Sequence, residues 1–263
     1  MRPKRKEHKG ENGKVLVIGG SKDYVGAPAL AAIAALRTGI DIATVCAPEK
    51  VAWAINCYTP DLITKKVLGD EFNLTHTKEI ISFSERFDVI VIGNGIGLNK
   101  DFVLKLLREI KKPFVIDADA IKVIPLDVAA NSILTPHANE FEMLYTNTTK
   151  KSPFSKDNMD QNIKNILPYI GSNVILLKGQ IDKIFSKSKN YNNKTGNNSM
   201  TKGGTGDILA GICAGYLAQG VDIFEAATQA AYINGKLGEY MYKYKGYGYT
   251  AYDMVQELWR YTK

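Results

Sequence analysis

The chain repeats one unit: a short, nearly continuous apolar run stops at Gly, Asp or Pro and gives way to a helical stretch. Residues 14–18 (Lys-Val-Leu-Val-Ile) stop at Gly19-Gly20, residues 41–47 at Pro48, residues 88–92 at Gly93-Asn94-Gly95 and residues 114–116 at Asp117-Ala118-Asp119. Residues 132–135 stop at Pro136 and residues 174–177 at Lys178-Gly179. Runs this short and this uniformly apolar are strands buried on both faces, and their alternation with helices predicts an α/β fold with a mainly parallel central sheet and helices on both faces. In such a sheet the loops at the carboxyl ends of the strands form the site, and the informative polar residues here fall at those ends. The first helix is predicted over residues 27–38, with Pro28 in its first turn.

Other segments read differently. Residues 183–200 are rich in Lys, Asn and Ser; residues 183–186 and 191–194 predict a surface hairpin, with a disordered insert as the competing reading. Helices are predicted at about residues 222–243 and 250–261, with their many tyrosines as packing and interface residues. The chain reads as one domain over residues 1–263, of which residues 1–12 are a basic amino-terminal extension.

The net charge of +7, in a chain of 263 residues that is 45% hydrophobic and 23% charged, is that of an ordinary globular protein with a solvated basic face. It carries neither the aromatic-interleaved basic motif nor the zinc spacing of nucleic-acid modules, so no nucleic-acid partner is expected. Three widely spaced cysteines, Cys46, Cys57 and Cys213, suit a reducing compartment such as the cytoplasm. No apolar run is long enough for a membrane span, and none follows the basic start as a secretory signal would require.

The strongest chemical signal is Gly203-Gly204-Thr205-Gly206-Asp207, followed by an apolar helix. Backbone N–H groups in such a turn can converge on an anion, and the helix N-terminus adds partial positive charge. Residues Gly203, Gly204, Thr205 and Gly206 are therefore candidates for an anion hole that holds a phosphoryl group in transfer. Asp207, at its mouth, is a candidate base for a substrate hydroxyl. The plainer alternative is a tight loop with a helix-capping aspartate. Neither Gly19-Gly20-Ser21 nor Gly93-Asn94-Gly95-Ile96-Gly97 has dinucleotide-fingerprint spacing, and no Walker-type loop occurs. His137, after Thr135-Pro136, reads equally well as a hydrogen-bonded structural residue or a site residue. Lys178-Gly179 is a solvated tip or a place where a nucleotide meets the backbone.

In combination, His8-Lys9-Gly10, Tyr24-Val25-Gly26-Ala27-Pro28, Gly93 to Gly97, Asp117-Ala118-Asp119-Ala120, Leu134-Thr135-Pro136-His137, Leu177-Lys178-Gly179 and the stretch from Thr195 to Asp207 resemble the ADP/ATP-dependent NAD(P)H-hydrate dehydratase family of the ribokinase-like superfamily. The resemblance covers about residues 8–260. It implies a three-layer ribokinase-like fold and conversion of NADHX and NADPHX, the hydrated reduced cofactors, back to NADH and NADPH. ADP or ATP serves as co-substrate, with Mg2+. It implies that Ala27, Gly97, His137 and Asp207 contact the hydrated dinucleotide, and that Lys178, Gly179, Gln180, Ile181, Asp182 and Gly206 hold the adenine nucleotide. Asp207 takes the proton of the ring hydroxyl, and phosphorylation makes that oxygen a leaving group. No metal-binding side chains are implied. A homo-oligomer, with a tetramer plausible, is also implied. Since the first strand starts so near residue 1, epimerisation of the other hydrate isomer is expected from a separate protein or from spontaneous exchange. The chain departs from the family pattern in Asn197-Asn198-Ser199-Met200, in Thr201-Lys202 before the glycine turn, in Asn94 where proline is usual, and in Ala138-Asn139 after His137. A small-molecule kinase of the same superfamily shares the glycine turn and aspartate and is the alternative; a non-catalytic nucleotide-binding module is the third reading.

Overall fold

In the computed structural model, residues 5–150 and 152–262 are described. The first four residues of the basic extension, with Arg2 and Lys4, lie outside them. The chain runs β1 (Lys14–Ile18), α1 (Gly26–Arg37), β2 (Ile42–Pro48), α2 (Glu49–Tyr58), β3 (Ile63–Val67), α3 (Thr77–Ser84), β4 (Val89–Ile92), α4 (Lys100–Glu109), β5 (Phe114–Ile116) and α5 (Ala118–Val123). It continues with β6 (Ile133–Leu134), α6 (Ala138–Thr149), α7 (Met159–Ile166), β7 (Val174–Leu177), β8 (Asp182–Phe185), β9 (Asn190–Asn193), α8 (Thr205–Ala218), α9 (Ile223–Lys245) and α10 (Ala251–Glu257).

Among the described residues these strands form one nine-stranded sheet in the order β3-β2-β1-β4-β5-β6-β7-β8-β9. The first seven positions are parallel; β8 and β9 continue the sheet antiparallel. Strand order reverses between β1 and β4, where a parallel sheet opens a crevice at its carboxyl edge. Alternate residues of each central strand face opposite layers. Val15, Val17, Val89, Val91 and Val115 pack under α1, α8, α9 and α10. Leu16, Ile18, Ile90, Ile92 and Ile116 pack against α3 to α7. The expected three-layer α/β fold is the one observed.

The expected strands lie within a residue or two of their observed bounds, and β8 and β9 form the hairpin, shifted one residue towards the amino terminus. Strand β3 escapes a search for apolar runs. It is an edge strand with Lys65 and Lys66 in its middle and an exposed Ile63 at its start, and charge on an open edge discourages pairing with another chain. The last expected helix is α10 followed by a separate 3-10 turn, Leu258–Arg260. Cys46 and Cys213 are buried, Cys57 is exposed, and all three are unpaired. Among the described residues no helix is long and apolar enough to cross a membrane.

Helix α8 lies directly on α1. A Cβ at Gly211 would stand 2.1 Å from the Ala31 carbonyl oxygen, and one at Gly215 would stand 2.1 Å from Thr38 Oγ1. Two missing side chains thus set how closely α8 approaches α1. Gly211→Ala should therefore lower stability by about 2 kcal/mol despite alanine's better helix propensity, because overpacking outweighs a propensity gain of about 1 kcal/mol. Thermal unfolding should read this as a fall of roughly 5 °C. Gly26→Ala, where the space is open, should leave the midpoint nearly unchanged; equal behaviour of the two variants would refute the packing argument.

Candidate active site

Five loops at the carboxyl edge of the sheet deliver the polar residues. They are stitched to one another by backbone: Gly20 N–H donates to Asn94 O (2.9 Å), Asp117 N–H to Ile92 O (3.0 Å), Thr135 N–H to Ile116 O (3.1 Å) and Lys178 N–H to Pro136 O (2.8 Å). The fit after β4 is tight enough that a Cβ at Gly93 would collide with the Asp117 carbonyl oxygen. Ala118, immediately after Asp117, has φ +48°, a left-handed conformation that alanine rarely adopts and that marks functional turns.

The side chains converge on Asp117, which is buried. Its Oδ1 accepts from Thr135 Oγ1 (2.7 Å) and from Lys178 Nζ (3.1 Å). Its Oδ2 accepts from Asn94 Nδ2 at 3.1 Å. The same Asn94 nitrogen donates to Asp207 Oδ1 at 2.7 Å. Lys178 Nζ lies 3.7 Å from Glu140 Oε2. A Cβ at Gly206 would stand 3.3 Å from Lys178 Nζ, so the first turn of α8 sits directly against this cluster. Three carboxyl groups thus share one ammonium.

This arrangement sets the proton affinities. Burial and the nearby Asp117 carboxylate push Asp207 up to about 7, against the opposing pull of the Asn94 amide and Lys178. Burial works against the charge of Lys178, but Asp117 and Glu140 outweigh it and raise its affinity for the proton. Half-buried at the mouth of a helix N-terminus, with its proton affinity lifted to about 7, Asp207 has the environment expected of a candidate general base.

The glycine turn has the expected form. Gly204 precedes α8 at φ +96°, which requires glycine. Thr205 Oγ1 donates to the carbonyls of Met200 and Lys202, both at 3.0 Å. First-turn N–H groups of an α-helix, here those of Gly206 and Asp207, have no partner within the helix and can receive an anion. Lys202 Nζ donates to Tyr247 O at 2.7 Å and lies 5.0 Å from the centre of the Tyr249 ring.

The other expected residues occupy the rim. Ala27 lies in the first turn of α1 and is partly exposed. Gly97 donates its N–H to Asp119 Oδ2 at 3.0 Å. His137 caps α6: Glu140 N–H donates to its Nδ1 (3.3 Å) and its own N–H donates to Glu140 Oε2 (2.9 Å). Its Nε2 lies 3.3 Å from Glu140 Oε1, so both ring nitrogens face Glu140, while half of the side chain remains exposed. Gly179 and Asp182 close a turn through Gly179 N–H to Asp182 Oδ1 (3.0 Å), and Gln180 and Ile181 are exposed at its tip. Burial raises the Asp182 carboxyl, while Asn193 and Gly179 donate against that trend. Lys178 stands apart from its expected group: it turns inward to Asp117.

Sequence reasoning assigned no role to Asn94, Asp117, Thr135 or Glu140. Their signal was position at strand ends; nothing linear says that residues 94, 117, 135, 140, 178 and 207 meet. A cleft of about 500 Å³ bordered by Arg5, Asn12, Gly39, Asp88 and Gly220 lies at the amino ends of the strands, away from these groups. The convergence of buried ionisable side chains, rather than cavity size, locates the site.

The chain is 40% identical over 266 residues to the bifunctional NAD(P)H-hydrate repair enzyme Nnr of Methanothermobacter thermautotrophicus, covering 95% of this chain and 50% of that protein. It spans about half the length of several such bifunctional relatives. It is 34% identical over 262 residues to the ADP-dependent (S)-NAD(P)H-hydrate dehydratase of Nitrosopumilus maritimus, covering 97% of this chain and 90% of the other. A solved structure of the Bacillus subtilis ADP/ATP-dependent NAD(P)H-hydrate dehydratase, co-crystallised with ATP/Mg2+, superposes with TM-score 0.80 at 25% identity, covering 99% and 94% of the two chains. Residues 15–260 match the family model described as NAD(P)H-hydrate dehydratase, and the chain belongs to the NAD(P)H-hydrate dehydratase family.

Proposed function

We propose that this chain dehydrates NADHX and NADPHX to NADH and NADPH at the expense of a phosphoryl group from ADP or ATP. The observation that carries this reading is Asp207, a carboxyl lifted to about 7 and aimed from the first turn of α8 beside Lys178 and Asp117. In this reading the terminal phosphoryl group lies over residues 203–206, where the N–H groups of the turn offset charge spreading onto its oxygens. Asp207 accepts the proton of the ring hydroxyl as that oxygen bonds to phosphorus and the bond to the leaving nucleotide breaks. The phosphate then departs from the ring carbon with its bonding pair, a neighbouring proton is lost, and the ring double bond returns. Lys178 supplies the fixed positive charge, and Asp117 with Glu140 holds it in place.

Ala27, Gly97 and the half-exposed His137 are assigned to the hydrated dinucleotide. Residues 178–182 and Gly206 are assigned to the adenine nucleotide. No group of three or more His, Cys, Asp or Glu among the described residues is arranged to hold a metal ion. Mg2+ enters this reading as part of the metal–nucleotide substrate. Three unpaired cysteines fit a reducing, cytoplasmic setting. We assign the exposed Tyr244 and Trp259, linked through Tyr240 and Arg260, to a homo-oligomer surface. Epimerisation of the other hydrate isomer is placed outside this site.

Asp207→Asn should fold and lose at least about 10³-fold in kcat, the scale of a lost general base. Nucleotide-dependent return of reduced-cofactor absorbance from NADHX measures it; wild-type turnover in that variant would remove Asp207 from the chemistry. The base works ionised, so kcat/KM should climb as pH rises through about 7. Stability should run the other way. A carboxyl raised in the folded state binds its proton more tightly there than in the unfolded chain, so folding stability falls between about pH 4 and pH 7 as the proton is lost. Asp207→Asn should lack that fall, which unfolding midpoints across this range would reveal. His137→Ala should raise KM for the hydrate several-fold and, through the lost cap, lower stability by about 1 kcal/mol; an unchanged KM would leave His137 a cap alone.

A further inference from the structure

We propose that Asn94 is the positioning residue for Asp207: its amide nitrogen, fixed at the strand end after β4, holds the Asp207 carboxyl in its working orientation against Asp117. The inference rests on the reading of Asp207 as the base. Asn94 is fully buried, and its Nδ2 donates to carboxylates from two different elements, at 3.1 Å to Asp117 and 2.7 Å to Asp207. The opposite end of the amide gives its orientation meaning. Asn94 Oδ1 is buried and has no hydrogen-bond partner, an arrangement that native interiors avoid. Rotating the amide by half a turn would set that oxygen against two carboxylate oxygens. The orphan acceptor is therefore retained because the nitrogen is needed where it is.

Asp117 would survive loss of this donor, because Thr135 and Lys178 also hold it. For Asp207, the Asn94 amide is the donor that reaches its carboxyl among the described residues. The groups facing Asp207 are Asp117 before α5, Glu140 on α6 and Lys178 after β7. Burial and the two carboxylates favour its neutral form, whereas Asn94 and Lys178 favour the charged one. Removing the amide leaves Lys178 alone on the second side.

The test is Asn94→Ala, with Asn94→Ser as a variant that keeps a short donor. Protein labelled with carboxyl-¹³C aspartate would be titrated by infrared spectroscopy, and the Asp207 band identified by its absence in Asp207→Asn. The expected result is a midpoint near 7 in the wild type, moved upward by about one pH unit in Asn94→Ala, with Asn94→Ser between them. In parallel, the acidic limb of kcat/KM should move the same way. kcat at pH 7 should drop about tenfold and recover at higher pH, with KM little changed. An unmoved Asp207 midpoint in either folded variant would overturn the proposal. So would failure of both variants to fold, which would make Asn94 a support of the core. The infrared titration needs no turnover, so a wild type inactive on NADHX would sink the dehydratase reading without touching this one.

Discussion

The close approach of α8 to α1 is the contact on which the site depends. Gly211 and Gly215 bring the two helices together over Val15 and Val17 of β1. The start of α8 then falls opposite the ends of β4, β5 and β7. A helix held farther from α1 would shift Asp207 away from Asn94 and its neighbours. The small residues in α8 thus do for the site what a large core residue does for stability: they fix a distance. Gly93 does the same on the other side by letting the β4 loop reach the Asp117 backbone.

Electrostatics at this junction is a controlled imbalance. Asp117, Glu140 and Asp207 surround Lys178 at a depth where water screens little. Two carboxylates suffice to hold the lysine charged, and the third is left with a weakened claim on ionisation. One cluster therefore contains a lysine held charged, which we propose meets the phosphate, and a carboxyl lifted to about 7. The environments differ because Asp117 has three donors and Asp207 one.

Much of this could be read from the residues in order. Apolar runs such as Val15 to Ile18 and Val174 to Leu177 pair on both sides and are covered on both faces, so hydrophobicity alone reveals them. β3 pairs on one side only, and Lys65 and Lys66 hide it. Asp207 was legible because glycines precede it and a buried helix follows. Asn94, Asp117 and Glu140 were not, because their roles are relations between loops rather than properties of a local stretch. His137 shows the opposite limit: its spacing to Glu140 is a capping pattern as well as a strand-end signal, and the cap is the part that the fold realises.

The strand order has a consequence for synthesis. β1 to β9 are complete by Asn193, yet Asp207 and the helix that covers Val89, Val91 and Val115 come afterwards. A chain emerging from the ribosome can lay down every strand and still lack Asp207 and three of the helices, α8, α9 and α10, that share one face of the sheet with α1. Until α8 docks, part of that face is uncovered, and Lys178 and Asp117 stand at an open edge. Competence to react and protection from aggregation therefore arrive together, in the last third of translation. A chain truncated before residue 205 would be a hazard to the cell rather than a weak enzyme.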